Sequence, residues 1–321
     1  MKVLIVTNMY PGRNESRPQQ GIFVQEQMNS LIKDHHVDCK LFVIDGFKSK
    51  LNYLTSGLKL NWHLLFNRYD AIHVHYALSG VFMLLNPLRS WRNVVVTCHG
   101  QDIQAQDGKE GKDHLVNRLS KKVLKRVGGV ITLNDNMDAI VAPINANITR
   151  MPCGVETDFF NPNQDKLEHV IVFPGGMNNG VKNYPLFAAV MNEYQKIEPN
   201  AKIAMMDNMS RAQIKHTLET ATALLMTSLS EGSPQSVKEA LSCDLAVVCT
   251  NVGDVADIFA EVKGTAIVEL EDSAQHIAQQ LHQCVEAAKT SAGQRRERLL
   301  SMGFAQKDVT GRLLKLFKQV A

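Results

Sequence analysis

The chain has 321 residues, 45% hydrophobic and 21% charged, the proportions of an ordinary globular protein and a length that suits two domains of about 150 residues each. Its net charge of +3 is uneven: residues 1–160 hold 19 Lys+Arg against 14 Asp+Glu, and residues 161–321 hold 16 against 18. That excess, without aromatic–basic interleaving, argues against a nucleic-acid reader, and no run approaches the roughly 20 apolar residues of a membrane span.

In chain order, Lys2 to Asn8 is a nearly continuous apolar run, as in a parallel strand buried on both faces. A polar loop from Pro11 to Gly21 follows, then a helix over Ile22–Leu31, with His35 and His36 placed in a solvent-facing loop. Further strands read at Cys39–Ile44, Ala71–His75, Asn93–Cys98 and Gly129–Leu133. The pattern restarts after a polar linker, Val155 to Glu168, with strands at His169–Phe173, Ala201–Met206, Ala223–Thr227, Ala246–Thr250 and Thr265–Val268. Helices fill Tyr184–Ile197, Arg211–Thr220, Pro234–Ser242 and Ser273–Lys289, and the tail Phe304–Val320 is amphipathic. Strands alternating with helix-length segments predict two doubly wound α/β domains, 1–160 and 161–303. Ligands then sit beyond the carboxyl ends of the strands, which singles out Asn8, Tyr76, His99 with Gly100, and Asn134 with Asp135.

The N-terminus lacks the apolar run and small-residue cleavage pattern of a secretory signal. The six cysteines (Cys39, Cys98, Cys153, Cys243, Cys249, Cys284) form none of the close pairs of zinc or redox sites and read as buried free thiols in a reducing compartment. A cytoplasmic location is expected, with the inner face of the cell membrane as a variant of it. Two stretches support that variant. Leu51–Phe66 mixes leucines with Tyr53 and Trp62 between Lys48, Lys50, Lys59 and Arg68, and Leu115–Arg126 carries Arg118, Lys121, Lys122, Lys125 and Arg126. Basic amphipathic helices of this kind rest on anionic membranes, and equally serve as surface helices of a globular domain.

Chemistry concentrates around Glu231 and Glu239. Thr227–Pro234 leaves a strand and opens a helix, with Ser233 suited to the N-cap and Pro234 to the first helical position. The helix N-terminus favours an anion such as diphosphate, and the two carboxylates could hold hydroxyls of a sugar and a ribose. Ordinary capping explains such spacing too, since acidic residues complement the helix dipole. Upstream, Phe173-Pro174-Gly175-Gly176 leads through Asn178 and Asn179 to Lys182, a loop whose glycines admit a ligand and whose lysine offers a point charge to phosphate. His99, before Gly100 at a strand end, is a candidate to orient a phosphate or sugar hydroxyl, whereas His73 and His75 share one strand face and read as structural. No residue cluster has the spacing of a metal site.

The run from Glu231 through Gln235 and Lys238 to Glu239, followed by Ala240–Cys243 and Val252–Val255, resembles the signature of family-four glycosyltransferases of the GT-B fold. Lys182-Asn183-Tyr184-Pro185-Leu186 resembles a branch of bacterial surface-polysaccharide biosynthesis. Asn8–Pro11 with Gly21–Val24, Ile72–Tyr76, Thr97–Asp102 and Gly154–Asp158 are similar to family landmarks in the same order. The resemblance implies two Rossmann-like domains with an interdomain cleft, the C-terminal helix 304–321 packing back on the first. It implies a retaining, metal-independent transferase without cofactor, moving a sugar from a nucleoside diphosphate (UDP favoured, GDP as the other candidate) to a glycan or lipid-linked acceptor. Glu231 would face the donor sugar, Glu239 the ribose, and Lys182 the diphosphate. Gly176, Gly232 and Ser233 would bring backbone to the donor, His99 would meet the transferring sugar, and Gly21 and Asp135 would belong to the acceptor side. Two departures stand out. Met177 occupies the position of a family arginine, so donor binding is weakened or another basic group substitutes, and the stretch between the strands at Ala201 and Ala223 is compact. A sugar-nucleotide epimerase of similar fold and a non-catalytic sugar-nucleotide-binding subunit are the alternatives.

Overall fold

The structure is a computed structural model that describes residues 1–14, 19–103, 112–163 and 169–321. Positions 15–18 of the polar loop and 164–168 of the linker lie outside the described residues. The chain forms two compact units, one of residues 1–154 with 306–321 and one of residues 155–305.

The first unit contains β1 (Lys2–Thr7), α1 (Ile22–His35), β2 (Asp38–Val43), α2 (Leu51–Phe66), β3 (Ala71–His75), a 3-10 segment (Ala77–Leu85), β4 (Val94–Thr97), α3 (Lys112–Leu124), β5 (Gly129–Thr132), α4 (Asp135–Val141) and β6 (Ile148–Arg150). Its sheet is parallel with order β2-β1-β3-β4-β5-β6. Alternate residues of β1 enter opposite layers, as the strand period of two requires. Leu4 and Val6 pack with Leu60 and Leu64 of α2, whereas Val3 and Ile5 pack with Val24 and Leu31 of α1.

The second unit runs β7 (Val170–Phe173), α5 (Tyr184–Ile197), β8 (Lys202–Met205), α6 (Arg211–Thr220), β9 (Ala223–Met226), α7 (Gln235–Ser242), β10 (Ala246–Thr250), α8 (Val255–Phe259), β11 (Thr265–Val268), α9 (Ala274–Lys289) and α10 (Gln294–Ser301). Its parallel sheet has order β11-β10-β9-β7-β8. The final helix, α11 (Gln306–Val320), returns to the first unit, where Val309, Leu313 and Phe317 fill the layer holding Val3 and Ile5.

Several sequence readings shift. The chain enters the second unit at Val155 rather than after residue 160. The Val155 amide bonds the Phe304 carbonyl at 2.9 Å, and Phe160 is fully buried in the second core. His35 is not a loop residue: α1 runs to it, and its Nε2 meets the Lys307 carbonyl at 3.0 Å and Thr310 Oγ1 at 3.1 Å on α11. Cys98, Cys243, Cys249 and Cys284 are buried thiols outside any disulfide, but Cys39 and Cys153 are only partly covered.

Each sheet has one switch point, where the winding direction reverses. In the first it lies between β1 and β3; in the second, between β7 and β9. Crevices at such points, outside the strand carboxyl ends, are where open α/β sheets bind ligands.

Candidate active site

At the second switch point, the loop after β7 meets the loop after β9. Lys182 Nζ donates to Glu231 Oε1 at 2.7 Å, and both side chains retain about a fifth of their exposure (18% and 20%). Ser228 Oγ donates to the same carboxylate oxygen at 3.0 Å. Backbone bonds hold the two loops in register. The Leu229 amide donates to the Val181 carbonyl at 2.8 Å, and Thr227 Oγ1 reaches the carbonyls of Lys182 and Asn183 at 3.1 and 3.0 Å. Lys182 and Glu231, 49 positions apart in sequence, are thus a built ion pair with room for further partners, since a lysine carries three donors.

The loop after β10 closes on the other side. Gly253 has φ +64°, and a Cβ there would lie 2.8 Å from the Gly232 carbonyl oxygen. Ser233 does not cap α7: its Oγ donates to Asp254 Oδ2 at 2.7 Å and accepts from Lys238 Nζ at 2.9 Å. Pro234, with extended backbone (φ −69°, ψ 113°), takes the cap position and the helix begins at Gln235. Lys238 is fully buried on the inner face of α7, its ammonium 5.4 Å from the Phe304 ring centre. This relay of Lys238, Ser233 and Asp254 pins the Gly232–Ser233 backbone in place. Burial pushes the Asp254 carboxyl up, opposed by the Lys238 charge.

Glu239 lies one turn into α7, only 3% exposed, and accepts from Arg211 Nη1 at 2.8 Å. Burial raises its pKa, and the Arg211 guanidinium is the largest opposing influence. Arg211 opens α6 behind a Ser210–Gln213 capping box at the carboxyl end of β8, with its guanidinium 4.7 Å from the Phe160 ring centre. Gly176, after β7, abuts Asp207 after β8: a Cβ on it would come within 2.6 Å of that carboxylate. Met177, beside it, is 57% exposed.

Sequence reading missed Arg211, Lys238 and Asp254. For Lys238 a signal existed: a lysine stands among Val237, Ala240 and Leu241 on the apolar side of a helix. For Arg211 it was the Ser-x-x-Gln capping pattern that opens a helix just past a strand end.

In the first unit, His99 follows β4 and precedes Gly100, whose φ is +95°. Its ring is stacked near His75 (centroids 5.5 Å apart) and lies 4.9 Å from Phe23 of α1. His75 Nδ1 and His99 Nε2 are 3.3 Å apart, and His75 Nε2 has no hydrogen-bond partner among the described residues. An orphaned buried N–H is rarer than an orphaned acceptor, which favours the proton on His75 Nδ1, donated to His99 Nε2. His99 then carries its own proton on Nδ1. Burial lowers the His99 pKa to about 4 and that of His73 to about 3. His73 and His75 are both buried, 4.2 Å apart, and His73 Nε2 meets Thr97 Oγ1 at 2.7 Å.

Asp102 organises this turn: its buried carboxylate accepts from the His99 amide at 3.0 Å and the Ala77 amide at 2.7 Å, tying β3's exit to β4's. Burial nevertheless lifts its pKa to about 6. Gly21 has φ +82° at the start of α1, and a Cβ there would strike the Met9 carbonyl carbon at 2.4 Å, so the loop after β1 requires glycine. Asp135 opens α4 after β5, 81% exposed and paired with Arg150. His99, Gly21 and Asp135 therefore all lie past strand carboxyl ends of the first sheet, whereas Gly176, Lys182, Glu231, Gly232, Ser233 and Glu239 gather in the second. Among the described residues no group of three or more His, Cys, Asp or Glu could hold a metal ion.

Residues 1–159 match the model of the family described as Glycosyltransferase Family 4, and residues 167–298 that of Glycosyl transferases group 1. No curated protein sequence matches the chain significantly. Among solved structures, a sucrose-phosphate synthase from Thermosynechococcus elongatus superposes with a TM-score of 0.81 at 15% identity, over 99% of this chain and 98% of that one. HepE of Anabaena, in complex with UDP and glucose, gives 0.70 at 11% identity over 99% and 100%. The N-terminal domain of trehalose-6-phosphate phosphatase from Candida albicans gives 0.72 at 9% identity over 100% and 97%. Both sheets and their winding are those of the GT-B fold.

Proposed function

This chain belongs to the family-four type of glycosyltransferases with the GT-B fold, and we propose that it moves a sugar from a nucleoside diphosphate to a glycan or lipid-linked hydroxyl with retention of anomeric configuration. The observation that carries this reading is the Lys182–Glu231 pair, 2.7 Å apart at the switch point of the second sheet. A cation and a carboxylate side by side match the two ends of the bond to be broken. The remaining Lys182 donors face the phosphate, and Glu231 accepts from hydroxyls of the sugar. Backbone N–H groups of Gly232 and Ser233, held by the relay to Asp254, add fixed donors for the departing diphosphate, which cost no reorganisation as charge develops. Glu239, held by Arg211, receives the ribose. Arg211 also keeps a second positive charge beside the donor site, in an enzyme where Met177 supplies none.

The leaving diphosphate itself accepts the acceptor's proton on the face it departs from, so no protein base is assigned. Neutral His99 offers its Nδ1–H to a sugar hydroxyl. UDP is the favoured carrier, because the similarly folded HepE binds UDP and UDP-glucose.

A thermal-shift panel of UDP-, GDP- and ADP-sugars tests the proposal. A donor at about 100 times its dissociation constant stabilises by roughly 2.7 kcal/mol. For a unit of this size that raises the melting temperature by about 5–10 °C. The expected result is a shift with a UDP-sugar that Lys182→Ala removes. A panel without any shift overturns the donor assignment.

A further inference from the structure

Helix α2 (Leu51–Phe66) is apolar on both sides. Its inner side, through Gly57, Leu60 and Leu64, is buried in the first unit's core. The outer side should then be polar, as on any surface helix. Instead Leu51, Leu54, Leu58, Trp62, Leu65 and Phe66 stand there with exposures of 70, 47, 57, 67, 64 and 72%. At 100° per residue these six fall within one stripe along the helix. Trp62 and Phe66 meet edge-to-face with ring centres 5.4 Å apart, so the C-terminal half of the stripe is one aromatic and leucine ridge. Contiguous exposed apolar surface of this kind marks an interaction site.

Charge says what the ridge meets. Residues 46–69 contain Lys48, Lys50, Lys59 and Arg68 and not one Asp or Glu; the aspartates that bound this segment are Asp45, which is half-buried, and Asp70, which accepts from the Lys2 amide at 2.7 Å. Lys48, Lys50, Lys59 and Arg68 are all exposed, at the two ends and along one flank of the stripe. The 3-10 segment Ala77–Leu85 packs against both α2 and α3, and α3 adds exposed Arg118, Lys121 and Lys122 to the same unit. Apolar side chains inside a predominantly cationic rim fit a surface with an oily interior and anionic headgroups, where lysine stems lie along the apolar layer and ammonium groups reach the phosphates. We propose that the outer face of α2 docks the protein on an anionic lipid bilayer, with Leu58, Trp62, Leu65 and Phe66 entering the acyl boundary and Lys48, Lys50, Lys59 and Arg68 meeting headgroups. The docking is independent of the donor assignment, and either can fail alone.

Tryptophan makes the test direct. The chain has two, and Trp91 is buried (2% exposed), so Trp62 alone responds to a new surrounding. Vesicles of equal parts phosphatidylglycerol and phosphatidylcholine should sediment the full chain and shift its emission to the blue; pure phosphatidylcholine vesicles should do so far less. Leu58→Glu with Leu65→Glu should weaken binding by more than about 100-fold, roughly tenfold or more per leucine removed from the acyl layer. Lys59→Glu, which leaves every apolar side chain in place, should weaken it about fivefold or more. Absence of binding overturns the proposal, as does binding unchanged in the double-leucine variant or equal on uncharged vesicles. So does lipid-free self-association that the double variant abolishes, because a second copy would then be what covers the ridge.

Discussion

Replacing Arg211 with methionine strands the Glu239 carboxylate, and the structure sets the size of the effect. The pair is 2.8 Å apart with side chains 15% and 4% exposed, so little solvent can take over from the guanidinium. Methionine keeps the packing against Phe160 and removes only charge and hydrogen bonds. Breaking a buried pair by removing one partner costs about 3–5 kcal/mol. The carboxyl can escape by taking a proton, which caps the loss. Protonating a glutamate of ordinary pKa, about 4.3, at about pH 7.5 costs roughly 4 kcal/mol, and at about pH 5.5 under 2 kcal/mol. The variant should therefore be about 3–4 kcal/mol less stable than the parent at the higher pH and less than about 2 kcal/mol at the lower. The sign follows from linkage: with Arg211 gone, the folded chain holds a proton at Glu239 that the unfolded chain does not, so the difference shrinks as pH falls toward the ordinary glutamate range. Urea titrations of both proteins at the two pH values, followed by far-ultraviolet circular dichroism, measure it. Adding Glu239→Gln should abolish the pH-dependent part. A loss equal at both pH values, or below about 1 kcal/mol at the higher, would refute the reasoning.

Gly253→Ala forces a Cβ to within 2.8 Å of the Gly232 carbonyl at φ +64°; because this displaces the Gly232–Ser233 amides, donor affinity should fall about tenfold or more while circular dichroism stays that of the parent. Unchanged donor affinity, read by calorimetry, would show that this packing does not place the amides. His73, held neutral with a pKa near 3 against an ordinary 6.5, refuses a proton that the unfolded chain accepts. Its contribution is present above pH 6.5 and is lost as pH falls toward the folded value, so His73→Gln should flatten the stability profile between about pH 6 and 5 by roughly 1.4 kcal/mol per pH unit. An unaltered slope in the same urea titrations contradicts a neutral, buried His73.

The strands were plain in the sequence wherever burial was complete. β3 and β10, buried along their whole length, match the readings end to end because doubly covered parallel strands announce themselves as apolar runs; β11 matches too, although it is a half-covered edge strand. β6, Ile148–Arg150, was not read: an edge strand of two half-covered residues and an exposed arginine leaves no such run. Glu231, Lys182 and Glu239 were singled out through motif and position, and the structure pairs Lys182 with Glu231 and Arg211 with Glu239. Their partners were less legible, because whether a lysine is solvated or buried depends on what the helix packs against. Lys238 stood out only as a lysine on an apolar helix side, Ser233 looked like a cap, and Arg211 like a helix start. Only the placement of β10's loop beside β9's converts Ser233 from cap to relay, and only α6 beside α7 turns Arg211 toward Glu239.

The central claim is the division of labour between Lys182 and Glu231. Calorimetric binding of UDP and of UDP-glucose to the parent, Lys182→Ala and Glu231→Ala, with sugar transfer measured on the same samples, tests it most directly. Lys182→Ala should weaken UDP itself. Glu231→Ala should bind UDP like the parent, lose the added affinity of the sugar and lose transfer while remaining folded. Near-normal transfer by Glu231→Ala would contradict the account.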